Sequence, residues 1–203
     1  MDPILESKYP SLVISLNWEN PYQLIVATLL SARCTDERVN RVTRDLFPRY
    51  PDARALAGAD LAELEKAVRP TGFFRNKAKH LQGLGRRVTE AYGGEIPGTM
   101  EDLLTLPGVA RKTANVVLSN AFGIHEGVVV DTHVKRVSGR LGFTDSSDPK
   151  RIERDLMEVF PREAWHPFAW RILVHGRHVC VARKPRCGQC DIAPFCPSEQ
   201  PAA

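Results

Sequence analysis

The chain has 203 residues, of which 43% are hydrophobic and 26% charged, a composition that is typical of a globular protein and excludes a disordered one. Lys and Arg outnumber Asp and Glu by 28 to 24, and this net charge of +4 by itself is weak support for a polyanionic partner. The longest nearly apolar run, 22–32, is too short to span a membrane, and the N-terminus shows no secretion signal. We therefore expect a cytoplasmic protein without a membrane partner.

Apolar residues recur at helical spacing through most of the chain. In chain order, the predicted helices cover 22–33, 38–47, 61–68, 77–91, 113–122, 149–160 and 165–179. Thr99 followed by Asp102 is typical of a helix start with a capping pair, and Asp148-Pro149 indicates another start. Strand signals are nearly absent, and the short run 128–130 is read as a buried connector. The sequence therefore predicts an all-α fold.

Basic residues are concentrated in two stretches. Residues 69–91 hold six of them with one acid, and residues 171–190 hold five with none. Two such stretches can form one face that follows a phosphate backbone, or they can be two solvated helix faces. Charge alone leaves both interpretations open.

A Pro-Gly turn at 106–110 is flanked by helices on both sides. Such a turn can point the unpaired amides of the second helix at a DNA phosphate, whereas a plain helix-turn-helix corner is the alternative. Lys112 falls in the first turn of that second helix, where the helix dipole disfavours a cation. It is either a phosphate contact or an amine that the dipole and partial burial activate for Schiff-base formation.

Asp131 opens the segment Asp-Thr-His-Val-Lys-Arg at 131–136. Aspartate is a common helix N-cap, and this role is compatible with a catalytic one. A carboxylate held by backbone amides near Lys112 could stabilise a cation that develops on a sugar ring.

Four of the five cysteines lie close to the C-terminus with the spacing C-x6-C-x2-C-x5-C. An odd number of cysteines without a secretion signal argues against a disulfide framework and favours one metal centre. The spacing alone fits both a zinc site and a [4Fe-4S] cluster. The four residues are Cys180, Cys187, Cys190 and Cys196.

The loop between the first two of these cysteines carries three cations, Arg183, Lys184 and Arg186. A metal-bound loop with this charge is suited to a phosphate backbone. The alternative is that the cations only offset the negative charge of the thiolates.

Taken together, these motifs resemble the endonuclease III family of helix-hairpin-helix DNA glycosylases. The resemblance extends over nearly the whole chain, and the hairpin, the aspartate and the cysteines occur in the family's order. It rests on residues 29–32, 35–36, 71–73, 106–115, 130–133 and 175–196.

The resemblance implies a two-domain fold with a DNA cleft between the domains. One is a six-helix domain at 14–123 that contains the hairpin. The other combines 1–13 with 124–203 and carries a [4Fe-4S] cluster on the cysteines of the loop 180–196. The resemblance also implies a monomer whose partner is double-stranded DNA.

The implied activity is base-excision repair by a bifunctional glycosylase and abasic-site lyase. Oxidised pyrimidines would be flipped out of the duplex and removed when Lys112 attacks C1′ of the deoxyribose. The resulting Schiff base would permit β-elimination, which cuts the strand 3′ to the abasic site. Asp131 would support the positive charge on the sugar, and Gly108 and Ala110 of the hairpin would contact the DNA backbone.

Three positions depart from the family's commonest pattern. Ala110 stands where glycine is usual, and it is strained if that position needs a positive φ. Arg33 replaces a gap-filling glutamine, and Phe73 replaces a smaller aliphatic wedge. We expect Arg33 and Phe73 to alter the opposite-base preference or the lesion range. The alternatives are a lesion-binding protein with little turnover, or a monofunctional mismatch glycosylase, against which Lys112 argues.

Overall fold

A computed structural model describes residues 2–198 of the chain. This part is built from α-helices, short 3-10 turns and one π-helical segment (Leu118–Phe122) and contains no β-strand, which confirms the predicted all-α fold. None of its helices is both long enough and apolar enough to cross a membrane. The helices are α1 (Asp2–Lys8), α2 (Pro21–Leu30), α3 (Asp36–Arg49), α4 (Ala53–Ala57), α5 (Leu61–Val68), α6 (Phe74–Tyr92), α7 (Met100–Leu104), α8 (Arg111–Val117), α9 (Thr132–Arg140), α10 (Pro149–Val159) and α11 (Trp165–His178).

Polar side chains set the starts of many of these helices. At each such start a side-chain oxygen accepts a hydrogen bond from an amide of the first turn, which stabilises a helix by about 1 kcal/mol. The capping pair of Thr99 with Asp102 and the start at Asp148-Pro149 are both confirmed. The capping residues are Asn20, Asp52, Asp60, Thr99, Asp131 and Asp148.

The chain divides into two compact units. Ile14–Ile124 forms the first, which we call the hairpin unit. Met1–Val13 together with His125–Ala203 forms the second, the cysteine unit, of which residues 2–13 and 125–198 are described. The boundary after residue 124 lies one residue beyond the position expected from the resemblance.

The hairpin unit contains α2 to α8 and therefore has seven α-helices, one more than the resemblance implies. Two of them, α4 and α7, are only five residues long. The helix α2 is almost wholly buried in the apolar core, and α6 contributes Leu81, Leu84 and Val88 to it. Gly85 lets α4 and α6 touch, because a Cβ there would lie 2.6 Å from the amide nitrogen of Ala57.

The cysteine unit contains α1, α9, α10 and α11 around a second apolar core. Phe168 is fully buried there and stacks on Phe160, with 3.9 Å between the ring centroids. Arg171 of α11 donates to Glu6 of α1 at 2.6 Å, and Lys8 pairs with Asp191. These contacts attach the N-terminal helix to α11 and to the cysteine-bearing segment.

Candidate active site and cysteine cluster

The turn between α7 and α8 has the hairpin geometry that the sequence predicts. Leu106 and Val109 are buried, and the amide of Val109 donates to the carbonyl of Leu106 at 3.1 Å. Gly108 has φ +80°, and a Cβ at this position would lie 2.9 Å from Cγ of His80. Both the backbone angle and the close approach of His80 therefore require glycine at 108.

Ala110, where the resembled family usually has glycine, is not strained. Its φ of −98° and ψ of 166° are those of extended backbone, which any residue adopts. The strain considered from the sequence is therefore wrong. Ala110 is exposed, lies at the N-cap of α8, and makes no side-chain cap to the first-turn amides.

Lys112 lies in the first turn of α8, as predicted, and its side chain is exposed. The partial burial that the sequence suggested is therefore wrong. An exposed amine beside an uncapped helix start is open to attack an incoming sugar and is equally open to contact a phosphate.

Asp131 is the N-cap of α9, which confirms the structural half of its predicted role. Its Oδ1 accepts hydrogen bonds from the amides of His133 and Val134, both at 2.8 Å. The side chain is half-buried. One oxygen thus fixes the carboxylate, while the other, Oδ2, takes no hydrogen bond from residues 2–198.

Arg33 and Phe73 lie on two loops of the hairpin unit and contact each other. The guanidinium of Arg33 lies over the ring of Phe73, 5.3 Å from its centroid. Both residues adopt left-handed backbone, with φ values of 56° and 49°. The predicted helix 22–33 therefore ends early, at Leu30, because the chain turns at Arg33. Phe73 is 62% exposed, although it is a large apolar residue.

All four C-terminal cysteines line one small pocket of about 30 Å³. They carry no disulfide, and three of them also pack against the core of the cysteine unit. Nη1 of Arg140 donates to Sγ of Cys180 at 3.2 Å, and Nε2 of His175 lies 3.5 Å from Sγ of Cys190. Polar contacts of this kind stabilise thiolates in metal sites.

Arg140 also supports the basic loop that follows Cys180. Its guanidinium donates to the carbonyls of Val181 at 2.8 Å and Ala182 at 3.0 Å. Lys184 adopts left-handed backbone with φ 53°. The three predicted cations of this loop, Arg183, Lys184 and Arg186, are all exposed. The loop is thus fixed by its backbone and leaves its charges to solvent.

Comparisons with known proteins identify the family. Residues 26–162 match the model of the HhH-GPD superfamily of base excision DNA repair proteins. An endonuclease III of Synechocystis sp. is 60% identical over 197 residues, which are 97% of this chain and 90% of that protein. The chain belongs to the endonuclease III family.

Solved endonuclease III structures share the fold over almost the whole chain. One is a non-covalent complex with DNA, and another is a trapped covalent intermediate with DNA, an estranged-adenine complex. Each has 40% sequence identity and a TM-score of 0.91 and covers 98% of this chain, which matches 92% and 93% of theirs, respectively. This member of the endonuclease III family is accordingly a bifunctional DNA glycosylase and abasic-site lyase of base-excision repair.

The predicted site residues of this endonuclease III family member are divided between the two units. Lys112, Gly108, Ala110, Arg33 and Phe73 belong to the hairpin unit. Asp131, the four cysteines and the basic loop belong to the cysteine unit. Within the hairpin unit, the structure brings Arg33 and Phe73 into contact, which the sequence did not indicate.

Sequence reasoning missed Lys77, which it counted only as one cation of a basic stretch. Lys77 is 6% exposed and donates from Nζ to the carbonyls of Leu30 and Thr71, both at 2.8 Å. The signal was its spacing, because Lys77 occupies a core position of α6 four residues before Leu81. A lysine at such a position is typical of a buried amine with specific acceptors.

Proposed function

We propose that this enzyme removes oxidised pyrimidines and cleaves abasic sites in double-stranded DNA, with Lys112 as its nucleophile. The observation that carries the proposal is the exposed Lys112 amine in the first turn of the helix that follows the hairpin. The hairpin amides and the helix start attract a phosphate, so that the backbone of the damaged strand is held next to this amine.

The proposed chemistry proceeds through a Schiff base. Nζ of Lys112, in its neutral form, attacks C1′ of the deoxyribose, and the bond from C1′ to the base breaks. Loss of the amine proton and opening of the sugar ring give an imine between Nζ and C1′. Removal of a proton from C2′ then expels the 3′ phosphate by β-elimination, which cuts the strand 3′ to the lesion.

Asp131 is proposed to stabilise the positive charge that develops on the sugar as the base leaves. Its Oδ1 is fixed by two amides, so the carboxylate needs little reorganisation during the reaction. Its Oδ2 is the oxygen that would face the sugar. Capping and catalysis are therefore compatible in one side chain.

The four cysteines are proposed to hold a [4Fe-4S] cluster, with Cys180, Cys187, Cys190 and Cys196 as ligands. All four cysteines line one pocket, as ligands of a single metal centre must. Membership of the endonuclease III family, which generally binds an iron–sulfur cluster, favours a cluster over a single zinc ion.

The environment of the cysteines also favours a bound cation. Burial raises the pKa of the Cys190 thiol, so that its thiolate needs a compensating positive charge. Bound iron would supply that charge and would keep the four thiolates deprotonated. The cluster would fold the 180–196 segment and present its basic loop, and we assign it no step in base excision.

The DNA contacts are proposed to come from three surfaces. Gly108 and Ala110 place the hairpin amides against a phosphate, and the loop cations Arg183, Lys184 and Arg186 contact the backbone elsewhere. Arg33 and Phe73 enter the duplex where the damaged base leaves it. We propose that the enzyme acts as a monomer in the cytoplasm, on the nucleoid if the source is bacterial.

Borohydride trapping on duplex DNA with a single abasic site tests the nucleophile. Wild type should form a covalent adduct, and Lys112→Gln should form none while it retains DNA binding. Lys66→Gln is the matched control, because Lys66 is also an exposed helical lysine of the hairpin unit. An adduct in Lys112→Gln would show that another amine is the nucleophile and that Lys112 only contacts a phosphate.

A further inference from the structure

Two loops of the hairpin unit carry the Arg33–Phe73 contact. The first, 31–35, joins α2 to α3, and the second, 71–73, precedes α6. Arg33 and Phe73 are the non-glycine residues of these loops with positive φ, and Gly72 of the second loop also has a φ of 69°. Non-glycine residues persist in that conformation only where their surroundings hold them. Something in the hairpin unit must therefore fix both loops.

Lys77 supplies a direct link between these loops. Its Nζ donates to the carbonyl of Leu30, three residues before Arg33, and to the carbonyl of Thr71, two residues before Phe73. Both donor–acceptor distances are 2.8 Å, and Lys77 and Thr71 are both buried. One amine thus connects the two chain segments just before each of them turns.

A simple packing role does not explain a lysine at this position. Desolvation by burial lowers the pKa of Lys77, which means that the surroundings disfavour its charge. Leu81, Leu84 and Val88 continue the same buried face of α6, and an apolar side chain at 77 would suit that face. What an apolar residue lacks is donors for the Leu30 and Thr71 carbonyls.

We propose that Lys77 is a positioning residue that connects the two loops. It thereby keeps Arg33 stacked on Phe73, so that the two side chains enter DNA together. The proposal rests on the proposed function, since it assumes that Phe73 enters the duplex. Arg33 occupies the space of the extruded base and faces the base left on the opposite strand, and Phe73 inserts beside it as a wedge. Arg33 has the donor geometry for the O6 and N7 acceptors of guanine, so the preassembled pair favours guanine opposite the lesion.

Equilibrium binding tests this with duplexes that carry a tetrahydrofuran abasic analogue opposite each of the four bases, and with an undamaged duplex. Wild type should bind the analogue most tightly opposite guanine. Lys77→Met should lose about tenfold in affinity for the analogue duplexes and most of the preference among opposite bases. Its affinity for undamaged DNA and its lyase rate on single-stranded abasic DNA should stay within twofold of wild type.

A double-mutant cycle with Phe73→Ala separates positioning from general destabilisation. If Lys77 acts through Phe73, the pair Lys77→Met and Phe73→Ala should bind the analogue no more weakly than Phe73→Ala alone. Lys79→Met is the matched control, because Lys79 is an exposed lysine on the same helix, and it should keep the opposite-base preference. The proposal is wrong if the losses of binding free energy of the two substitutions add. It is also wrong if Lys77→Met loses equal affinity for the undamaged and the analogue duplexes.

Folding and the underlying function are checked in the same experiment. If Lys77→Met does not fold, Lys77→Gln replaces it in the same cycle. Its side chain keeps a polar group at this site but is one bond shorter and does not reach both carbonyls, so the same losses are expected. Wild type that fails to prefer the analogue over undamaged DNA would refute the proposed function itself. If wild type prefers the analogue duplexes and the Lys77 variant keeps the wild-type preference among opposite bases, only the proposed role of Lys77 is refuted.

Discussion

The hairpin unit buries more than twice as many apolar side chains in its core as the cysteine unit does. In the cysteine unit, Cys180, Cys190 and Cys196 themselves pack against the core, together with aromatic side chains. The first unit is therefore stabilised mainly by apolar burial, whereas the second uses cysteine-bearing loops to complete its interior. Conditions that affect the clustered cysteines should therefore act mainly on the second unit.

The two units also fix their proposed catalytic groups differently. Asp131 is held by two hydrogen bonds to one carboxylate oxygen, while Lys112 is an exposed side chain on a helix start. A stabilising carboxylate benefits from preorganisation, and an attacking amine must reach its substrate. The difference in rigidity thus agrees with the difference in proposed role.

Loss of a cysteine ligand should produce the largest effect and should be confined to one unit. For Cys190→Ser we expect loss of the bound iron and of the associated visible absorption. Amide hydrogen exchange in 125–198 should rise by at least about 100-fold, because cluster binding contributes to the folding free energy there.

Exchange in 14–124 should change little in the same variant, because that core contains none of the four ligands. Cys34→Ser is the matched control, since Cys34 is the one cysteine in the hairpin unit. Equal loss of protection in both units would show that the two cores do not have separate sources of stability.

Acid should also destabilise the cysteine unit selectively, through His166. Burial, with a smaller contribution from the His125 charge, lowers the pKa of His166 to about 4, against 6.5 in an unfolded chain. Between these values the unfolded state binds the proton and the folded state does not, so stability falls as the pH drops from 6.5 to 4. The full contribution of this one group is about 3 kcal/mol.

Denaturant unfolding of wild type and His166→Gln between pH 7 and 4 measures this contribution. The variant should lose less stability across that range than wild type. The hairpin unit contains a single histidine, the exposed His80, and His80→Gln is the control for removal of an imidazole outside the cysteine unit. Parallel curves for wild type and His166→Gln would contradict the expectation.

Asp131→Asn should separate catalysis from capping in the cysteine unit. Asparagine caps helices about as well as aspartate, so the melting temperature should change little. Base release should slow by on the order of 100-fold, because the charge that stabilises the sugar cation is lost. Single-turnover excision and thermal unfolding measure the two effects.

Asp131→Ala is the companion variant, which removes the cap as well and should lower stability by about 1 kcal/mol. A fall in the stability of Asp131→Asn without slower base release would leave Asp131 with a structural role only.

Whether a structural feature could be predicted from the sequence depends on whether local or long-range contacts determine it. The span of α5 and the caps at Thr99 and Asp148 agree with prediction because they depend on local spacing and on polar side chains at fixed offsets. The Lys77–Leu30 hydrogen bond and the stacking of Arg33 on Phe73 were missed because they join residues 47 and 40 positions apart, which local periodicity does not report.

The smallest expected effects are on stability in the hairpin, where the two small residues that flank Val109 are compared. Gly108→Ala should destabilise the hairpin unit by about 2 kcal/mol, because alanine is strained at φ +80° and its Cβ would contact the His80 ring at 2.9 Å. Ala110→Gly should cost less than about 1 kcal/mol, since position 110 is extended and glycine only adds freedom to the unfolded chain. Denaturant unfolding ranks the two, and the opposite order would mean that position 110 carries the conformational demand of this turn.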